Sequence, residues 1–392
     1  MLNVTAVTDV VRRRFSNSGD SEPRQAETLQ ERLYTASQWV LIWHRFRRHK
    51  LAQIGGAILI IMYLAAIFAP IVAPYGPNQK FNENLYTPPT TIHFVDENGN
   101  FSLRPFVYGL KKEIDPNTLE RIYEPDTSQK HYLQFLAPGT PYKLFNSIPM
   151  DIHLVTVNDP GRFFLFGTDA LGQDLFSRIV YGAQISLSIG LVGVALSFLI
   201  GCTLGGISGY YGGRVDMVIQ RIIEFLISIP TLPLWMGLSA ALPRNWSTEK
   251  TYFAITIILS LAGWTGLARV VRGKIISTRT ETFVKAAELA GAGEGRIIFR
   301  HLLPSFMSYL IVSVTMSIPG MILGETSLSF LGLGLQPPAI SWGVLLSDAQ
   351  NVRTVALNPW LMIPAFFVIV VILAFNFVGD GLRDAADPYK EI

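Results

Sequence analysis

The stretch Glu281-Thr-Phe-Val-Lys285-Ala-Ala-Glu-Leu-Ala-Gly291-Ala-Gly-Glu-Gly-Arg296-Ile-Ile-Phe-Arg-His-Leu-Leu-Pro304 decides how the chain is read. Its first part is a good short helix, with small Ala286 and Ala287 inside it and a stop at Gly291. Residues 296–302 make a second turn or two before Pro304 opens a new segment. On either side lie uncharged apolar runs, residues 252–268 before it and 305–324 after it. Two short helices joined at glycines between two apolar runs form a surface suited to enter another protein's groove, where small side chains let a partner's backbone approach. An ordinary connecting loop would not need such spacing.

Working outward, the rest of the chain has the same character. Of 392 residues 49% are hydrophobic and 16% charged, against roughly 25% charged in a soluble domain. The mean hydropathy is +0.34. These values argue against a soluble enzyme, a disordered chain and a fibrous protein. The single cysteine, Cys202, excludes an internal disulfide framework and a cysteine-rich metal site. A net charge of +3 is too small to suggest nucleic acid. A helix needs about 20 apolar residues to cross the hydrocarbon core, and further uncharged runs lie at 51–73, 185–204, 225–242 and 358–379. The run 225–242 is expected to begin earlier, taking in residues 215–224. Six spans result. A seventh stretch, 326–347, is interrupted by Gly332, Gly334, Pro337 and Pro338; it reads as a re-entrant or interfacial segment lined by protein.

Cations fix the expected orientation. Nine of the 32 Lys and Arg precede the first run, with Arg45, Arg47, Arg48 and Lys50 abutting it. Seven more lie between the fourth and fifth runs. An even number of spans puts both groups on one side, and the positive-inside bias makes that side the cytoplasm, with both termini inside.

The chain divides into a cytoplasmic segment 1–50, a first transmembrane helix 51–73, an extracytoplasmic insert 74–180, and a core 181–392 that contains five spans and the loop 279–304. Residues 1–36 are polar and read as poorly ordered. Residues 37–50 pair Trp39, Trp43 and Phe46 with a basic end, the composition of an interfacial helix, with a cytoplasmic extension of the first span as the alternative. The insert carries two hairpin signals. Residues 92–95 and 101–108 flank Asp96 to Asn100, and residues 152–157 and 163–166 flank Asn158 to Gly161. It reads as a small, partly β subdomain, either a structural cap or a receiver for a soluble partner. His93, His131 and His153 have no metal-ligand spacing.

The stretch 281–304 resembles the Glu-Ala-Ala loop of ABC importer permeases. Ala286, Ala287, Gly291, Leu303 and Pro304 match that pattern at its spacing. Lys285 stands where the family has Glu, and His301 where it usually has an apolar residue. Residues 47–52 resemble the entry sequence of dipeptide and oligopeptide permeases. Gly167-Thr168-Asp169-Ala-Leu-Gly172-Gln-Asp174 resembles their Gly-Thr-Asp-x-x-Gly-Arg-Asp segment, with Gln173 replacing Arg. Gly209 to Gly213, Ser228 to Pro230, Ser329 to Gly334 and Gly379 to Pro388 also fit. The likeness is to the C-type permease subunit, and the enlarged first loop resembles the branch importing oligopeptides and microcin C-type compounds.

This resemblance implies an all-α membrane protein with the six transmembrane helices of the type I ABC importer permease fold, in a bacterial inner membrane. It implies a pore shared with a second permease, two cytoplasmic ATPases, a periplasmic binding protein, and alternating access. No Gly-x-x-x-x-Gly-Lys-Ser/Thr loop is seen, so ATP and Mg are expected on the partner ATPases, with no cofactor or catalytic residue in this chain. Peptides are the expected cargo; oligosaccharides, opines or nickel chelates would use the same machinery, and a non-transporting scaffold or sensor is the reading from another class.

The expected coupling residues are Lys285, Ala286, Ala287, Glu288, Gly291, Arg296, Leu303 and Pro304. Lys285 can share a helix face with Glu281 and Glu288, so either a glutamate supplies the contact the family makes from the first position, or the three form a surface ion pair. Pro230, Pro233, Pro319 and Gly320 permit kinks of the kind that line a pore. Glu325 faces substrate or water. Arg221 and Glu224 read as a snorkelling pair, Asp169 and Asp174 as helix-capping and turn residues, and Cys202 as a packing residue.

Overall fold

The computed structural model describes residues 38–386 apart from 98, 115, 117–120, 146, 159 and 244. The expectation for residues 1–36 and the last two residues of the Gly379–Pro388 likeness lie outside the described residues. Helix α1, Gln38–Phe46, leads into α2, Lys50–Ile67, which His49 caps by accepting the Ala52 N–H at 3.1 Å. The first apolar run is not one straight helix to residue 73. It breaks at Phe68 and resumes as a single turn, Ala69–Val72, because Pro70 has no N–H for the preceding turn.

The insert follows as an antiparallel sheet in the order β1-β2-β3-β4. Its strands are His93–Val95, Phe101–Ile114, Arg121–Leu144 and Ile148–Val157. The first hairpin forms as its turn chemistry suggests. Gly99 takes φ +79°, and Asp96 accepts the Asn100 N–H at 2.8 Å and Lys130 Nζ at 2.7 Å. The lysine holds that carboxyl down to about 2. The second expected hairpin does not form: β4 pairs back onto β3, and residues 163–166 are not a strand. Phe163 and Phe164 are adjacent and both buried, where a one-sided strand would bury alternate residues. They pack beneath Tyr75 and Thr90, with Phe163 N donating to the Tyr75 hydroxyl. β3 was hidden in the sequence by Pro125, Pro138 and Pro141; register shifts between Pro138 and Tyr142 accommodate two of them.

The remaining helices are α3 (Leu175–Tyr211), α4 (Gly213–Ser228), α5 (Thr231–Ala240), α6 (Thr248–Thr278), α7 (Thr282–Leu289), α8 (Met307–Phe330), α9 (Trp342–Ser347) and α10 (Ile363–Ala386). Among the described residues five helices are long and apolar enough to cross a membrane, and α4 with α5 forms a sixth element bent by 87°. The third run is therefore a sharply bent helix pair rather than one helix through 215–242. Ile229 precedes a proline, is pushed to an extended backbone (φ −92°, ψ 126°), and Pro230 cannot donate to the turn before it.

The centre of the molecule is the parallel pair α3 and α6, whose contacts advance together from Ser188 and Tyr252 to Gly209 and Arg272. Gly201, Gly205 and Gly209 repeat every four residues on α3, so all face α6. A Cβ at Gly205 would stand 2.5 Å from the Ala268 carbonyl oxygen, and one at Gly209 2.8 Å from that of Arg272. Backbone contact this close replaces the hydrophobic drive that lipid removes. Leu187, Leu259, Ile322 and Leu328 continue the core between α3, α6 and α8, and α10 packs on both α2 and α8. The fifth run is longer than its uncharged stretch: α8 runs on to Phe330 and takes Glu325 into its interior. Of the segment 326–347, only the part after Phe330 leaves the helix. It returns as α9, whose Trp342 is fully buried and donates its indole N–H to Ile179 O at 3.0 Å.

Candidate functional site

Two sites emerge on opposite ends of the core, with a cavity between them. At the basic end, α7 is amphipathic. Val284 is buried against Val271, Ile275, Ile297 and Leu302, while Lys285, Ala286, Glu288 and Leu289 point outward. The helix ends in a glycine cap. Gly291 has φ +77°, its N–H bonds to Glu288 O at 2.9 Å, and Ala292 N–H bonds to Ala287 O at 3.0 Å. The chain then re-enters a helix at Glu294–Arg296 and widens over Ile297–Leu302, where Leu303 N–H reaches Ile298 O. Pro304, which has no N–H, follows directly, and the wider turn lets the chain approach it.

The expected Lys285 ion pair is absent among the described residues. Glu288 instead accepts Tyr210 OH at 3.4 Å, and Tyr211 OH donates to Glu294. Arg279 Nη1 donates to the Gly209 and Tyr210 carbonyls at 3.2 and 3.0 Å. Beneath, Arg272 grips Asp216 through two bonds of 2.5 and 2.6 Å, and Ser208 donates to the same carboxylate. The Gly209-to-Gly213 segment thus clamps the loop to the end of α3. That clamp was not legible, because its partners lie 69 to 83 residues apart in sequence. Arg296 is exposed; Leu303 is buried.

Between the helices lies a cavity of about 630 Å³ lined by α3, α5, α6 and α8. Ser197, Thr231, Trp235, Gly263, Ser317 and Gly320 are on its wall, which contains hydroxyl, aromatic, aliphatic and glycine groups and no charged side chain. Added Cβ atoms at Gly266 and Gly320 would meet nothing, so the wall is open there. The Trp235 indole N–H has no acceptor among the described residues. Of the residues expected at the pore, Gly320 lies on this wall. Pro319 is buried in the turn of α8 beside it, Pro230 makes the break before α5, and Pro233 sits in the first turn of α5, where a missing N–H costs nothing.

Glu325 is elsewhere. Fully buried, it accepts hydroxyl protons from Ser341 at 2.6 Å, Ser329 at 2.8 Å and Ser186 at 3.3 Å. Each of those hydroxyls accepts a backbone N–H in turn: Val344 to Ser341, Leu335 to Ser329, Trp342 to Ser186. The carboxylate therefore ties α3, α8 and α9 together through three relayed hydrogen bonds. Neither of the alternatives expected for it, substrate or water, describes that position.

The Gly167–Asp174 segment forms the turn into α3. Gly167 and Gly172 have φ +76° and +69°, and a Cβ at Gly172 would lie 2.1 Å from Phe81 O. Asp174 caps α3 by accepting Ser177 N–H at 2.8 Å. Asp169 accepts the Leu171 and Gln173 N–H groups and pairs with Arg178, both side chains being buried. Thr168 links the turn to the insert through Thr87 N at 2.8 Å.

Set beside known proteins, residues 201–391 match the family described as binding-protein-dependent transport system inner membrane component. Residues 37–89 match the N-terminal TM domain of oligopeptide transport permease C. The oligopeptide transport system permease protein OppC of Bacillus subtilis is 31% identical over 374 residues, covering 95% of this chain and 94% of its own. The dipeptide transport system permease protein DppC of the same organism is 43% identical over 58% of this chain and 70% of its own. DppC of Lactococcus lactis is 33% identical over 88% of this chain and 89% of its own. Among solved structures, a chain of the inward-facing MetNI methionine ABC transporter covers 53% of this chain and 97% of its own at 17% identity and a TM-score of 0.39, a likeness of outline only.

Proposed function

Because this chain belongs to the family of binding-protein-dependent transport system inner membrane components, with relatives named as dipeptide and oligopeptide permeases along nearly its whole length, we propose that it forms one half of the pore of an ATP-driven peptide importer. A second, related permease supplies the other half. Two ATPase subunits carry ATP and Mg and dock on the loop around α7, and a binding protein delivers cargo on the side of the insert. Both termini lie in the cytoplasm.

The observation that carries this reading is α7. It is fixed from within by Val284, from the side by the tyrosines, and at its end by Gly291, yet its outward face is bare, with Leu289 90% exposed. A rigid helix with an uncovered apolar tip transmits force to whatever grips it. The cavity suits peptides in general: an uncharged wall of hydroxyls and glycines imposes no side-chain charge on its cargo. Leu289→Glu tests the docking surface. The residue is 90% exposed, so melting should be unchanged while ATPase co-purification weakens by about 2 kcal/mol, the size of an interface anchor, and peptide uptake falls with it. Unaltered ATPase binding would refute the proposed dock.

A further inference from the structure

The hairpin joining β3 to β4 ends in apolar side chains that the described residues leave largely uncovered. Phe145 is 61% exposed and Ile148 52% exposed, on either side of the turn. Phe145 also holds φ +49°, a backbone conformation that disfavours an aromatic residue and that glycine adopts freely. Its one ring partner among the described residues is Phe68, edge-on at 6.1 Å between centroids. Contacts among the described residues therefore do not account for an exposed phenylalanine in a strained turn.

Phe68 says where this tip lies. It follows α2, whose 18 residues rise about 27 Å, close to the roughly 30 Å of the hydrocarbon core. α2 begins at Lys50, beside the basic residues that mark the opposite interface, so Phe68 sits at the far boundary of the apolar layer. The outer face of α2, through Ile60, Ile61, Leu64 and Ile67, is exposed along its length and leads to Phe68 without interruption. The hairpin is also aimed. Farther from the tip, His153 Nδ1 meets Ala73 O at 2.6 Å and Thr140 Oγ1 meets Pro74 O at 3.3 Å. Nearer the tip, the contact is with Phe68. Following β3 from Thr140 to Phe145 therefore runs back along the chain toward the end of α2.

We propose that the β3–β4 tip is seated in the bilayer, with Phe145 and Ile148 in the acyl boundary of the far leaflet and exposed Lys143 at the level of its phosphates. The lipid surface of α2 continues without a gap onto the insert, and lipid is the occupant that continuity selects. The sheet is then anchored at two places, by backbone contacts at Ala73 and Pro74 and by the membrane itself.

The test uses the full chain with Cys202→Ala, which leaves no other thiol. Single cysteines at Phe145, Ile148 and Leu103, the last an 86% exposed residue on β2, are spin-labelled and reconstituted in nanodiscs of phosphatidylethanolamine and phosphatidylglycerol. Collision with oxygen, which concentrates in lipid, is compared with collision with a water-soluble nickel chelate. The oxygen-to-nickel ratio at 145 and 148 should exceed that at 103 several-fold. A ratio at 145 equal to that at 103 would place the tip in water and overturn the proposal; labels shielded from both reagents would overturn it in favour of a protein partner. Phe145→Gly, which relieves the backbone, keeps the test open if labelling perturbs the turn: the label at 148 should then lose its lipid ratio while the purified protein melts no lower.

Discussion

At Glu325 a carboxylate without a neighbouring cation is held by three serine hydroxyls, each already committed to a backbone N–H. Every proton in the cluster thus points toward the carboxylate, and the arrangement needs two accepting oxygens. Glu325→Gln replaces one acceptor by a donor that faces a hydroxyl proton. The expected cost is about 1–3 kcal/mol, that of leaving a buried polar group unsatisfied, read as a lower melting temperature in detergent; Glu325→Asp, which keeps both acceptors on a shorter arm, should lose less. No change in the Gln variant would show that the serines rearrange freely. The sequence exposed Glu325 as a charge at the edge of an apolar run and could go no further, since Ser186 lies 139 residues away. Gly291 was legible because its requirement is local: a helix that stops there needs a residue tolerant of positive φ. Lys285 was legible as a departure from the pattern, but not the way Tyr210 reaches its expected partner Glu288 from another helix.

Among the elements, α3 and α6 set the spacing of the core. The glycine stripe on α3 lets the two backbones approach until Cβ atoms would collide with carbonyl oxygens. Gly205→Val should force the helices apart at Ala268, costing about 1–3 kcal/mol as overpacking does. Gly266→Val, on a helix face open to the cavity, should be tolerated; the pair compared by yield and melting temperature separates contact from glycine content. Equal effects at both positions would refute the role given to the stripe. The apolar runs announced these helices because lipid demands long uncharged segments. Their ends were less clear. α6 continues past its run to carry Arg269, Arg272 and Lys274 on its terminal turns, and α8 absorbs Glu325, because satisfied charges do not stop a helix. The bend at Pro230 was within reach of the rule for residues before proline, and hydropathy averaged over it. The long strand β3 was least legible, since three prolines and a bulge break the alternation that strands are read by.

In the whole molecule, a helical core carries a sheet on one end and the α7 loop on the other, and the cavity wall that this chain contributes between them has no charged side chain. That neutrality has an electrical consequence. On the pore reading proposed above, no wall charge of this chain moves with the cargo, so the electrical work of a transport step is that of the cargo's own charge, about 2.3 kcal/mol per elementary charge per 100 mV. With the interior negative, a lysine-bearing peptide is drawn inward and a glutamate-bearing one is held back. Discharging the membrane with an ionophore at constant ATP should therefore slow uptake of the first and speed that of the second, and an identical response of the two would mean that charge crosses the field elsewhere. On that reading the membrane voltage sorts the cargo by sign, since the wall this chain contributes adds no moving charge of its own.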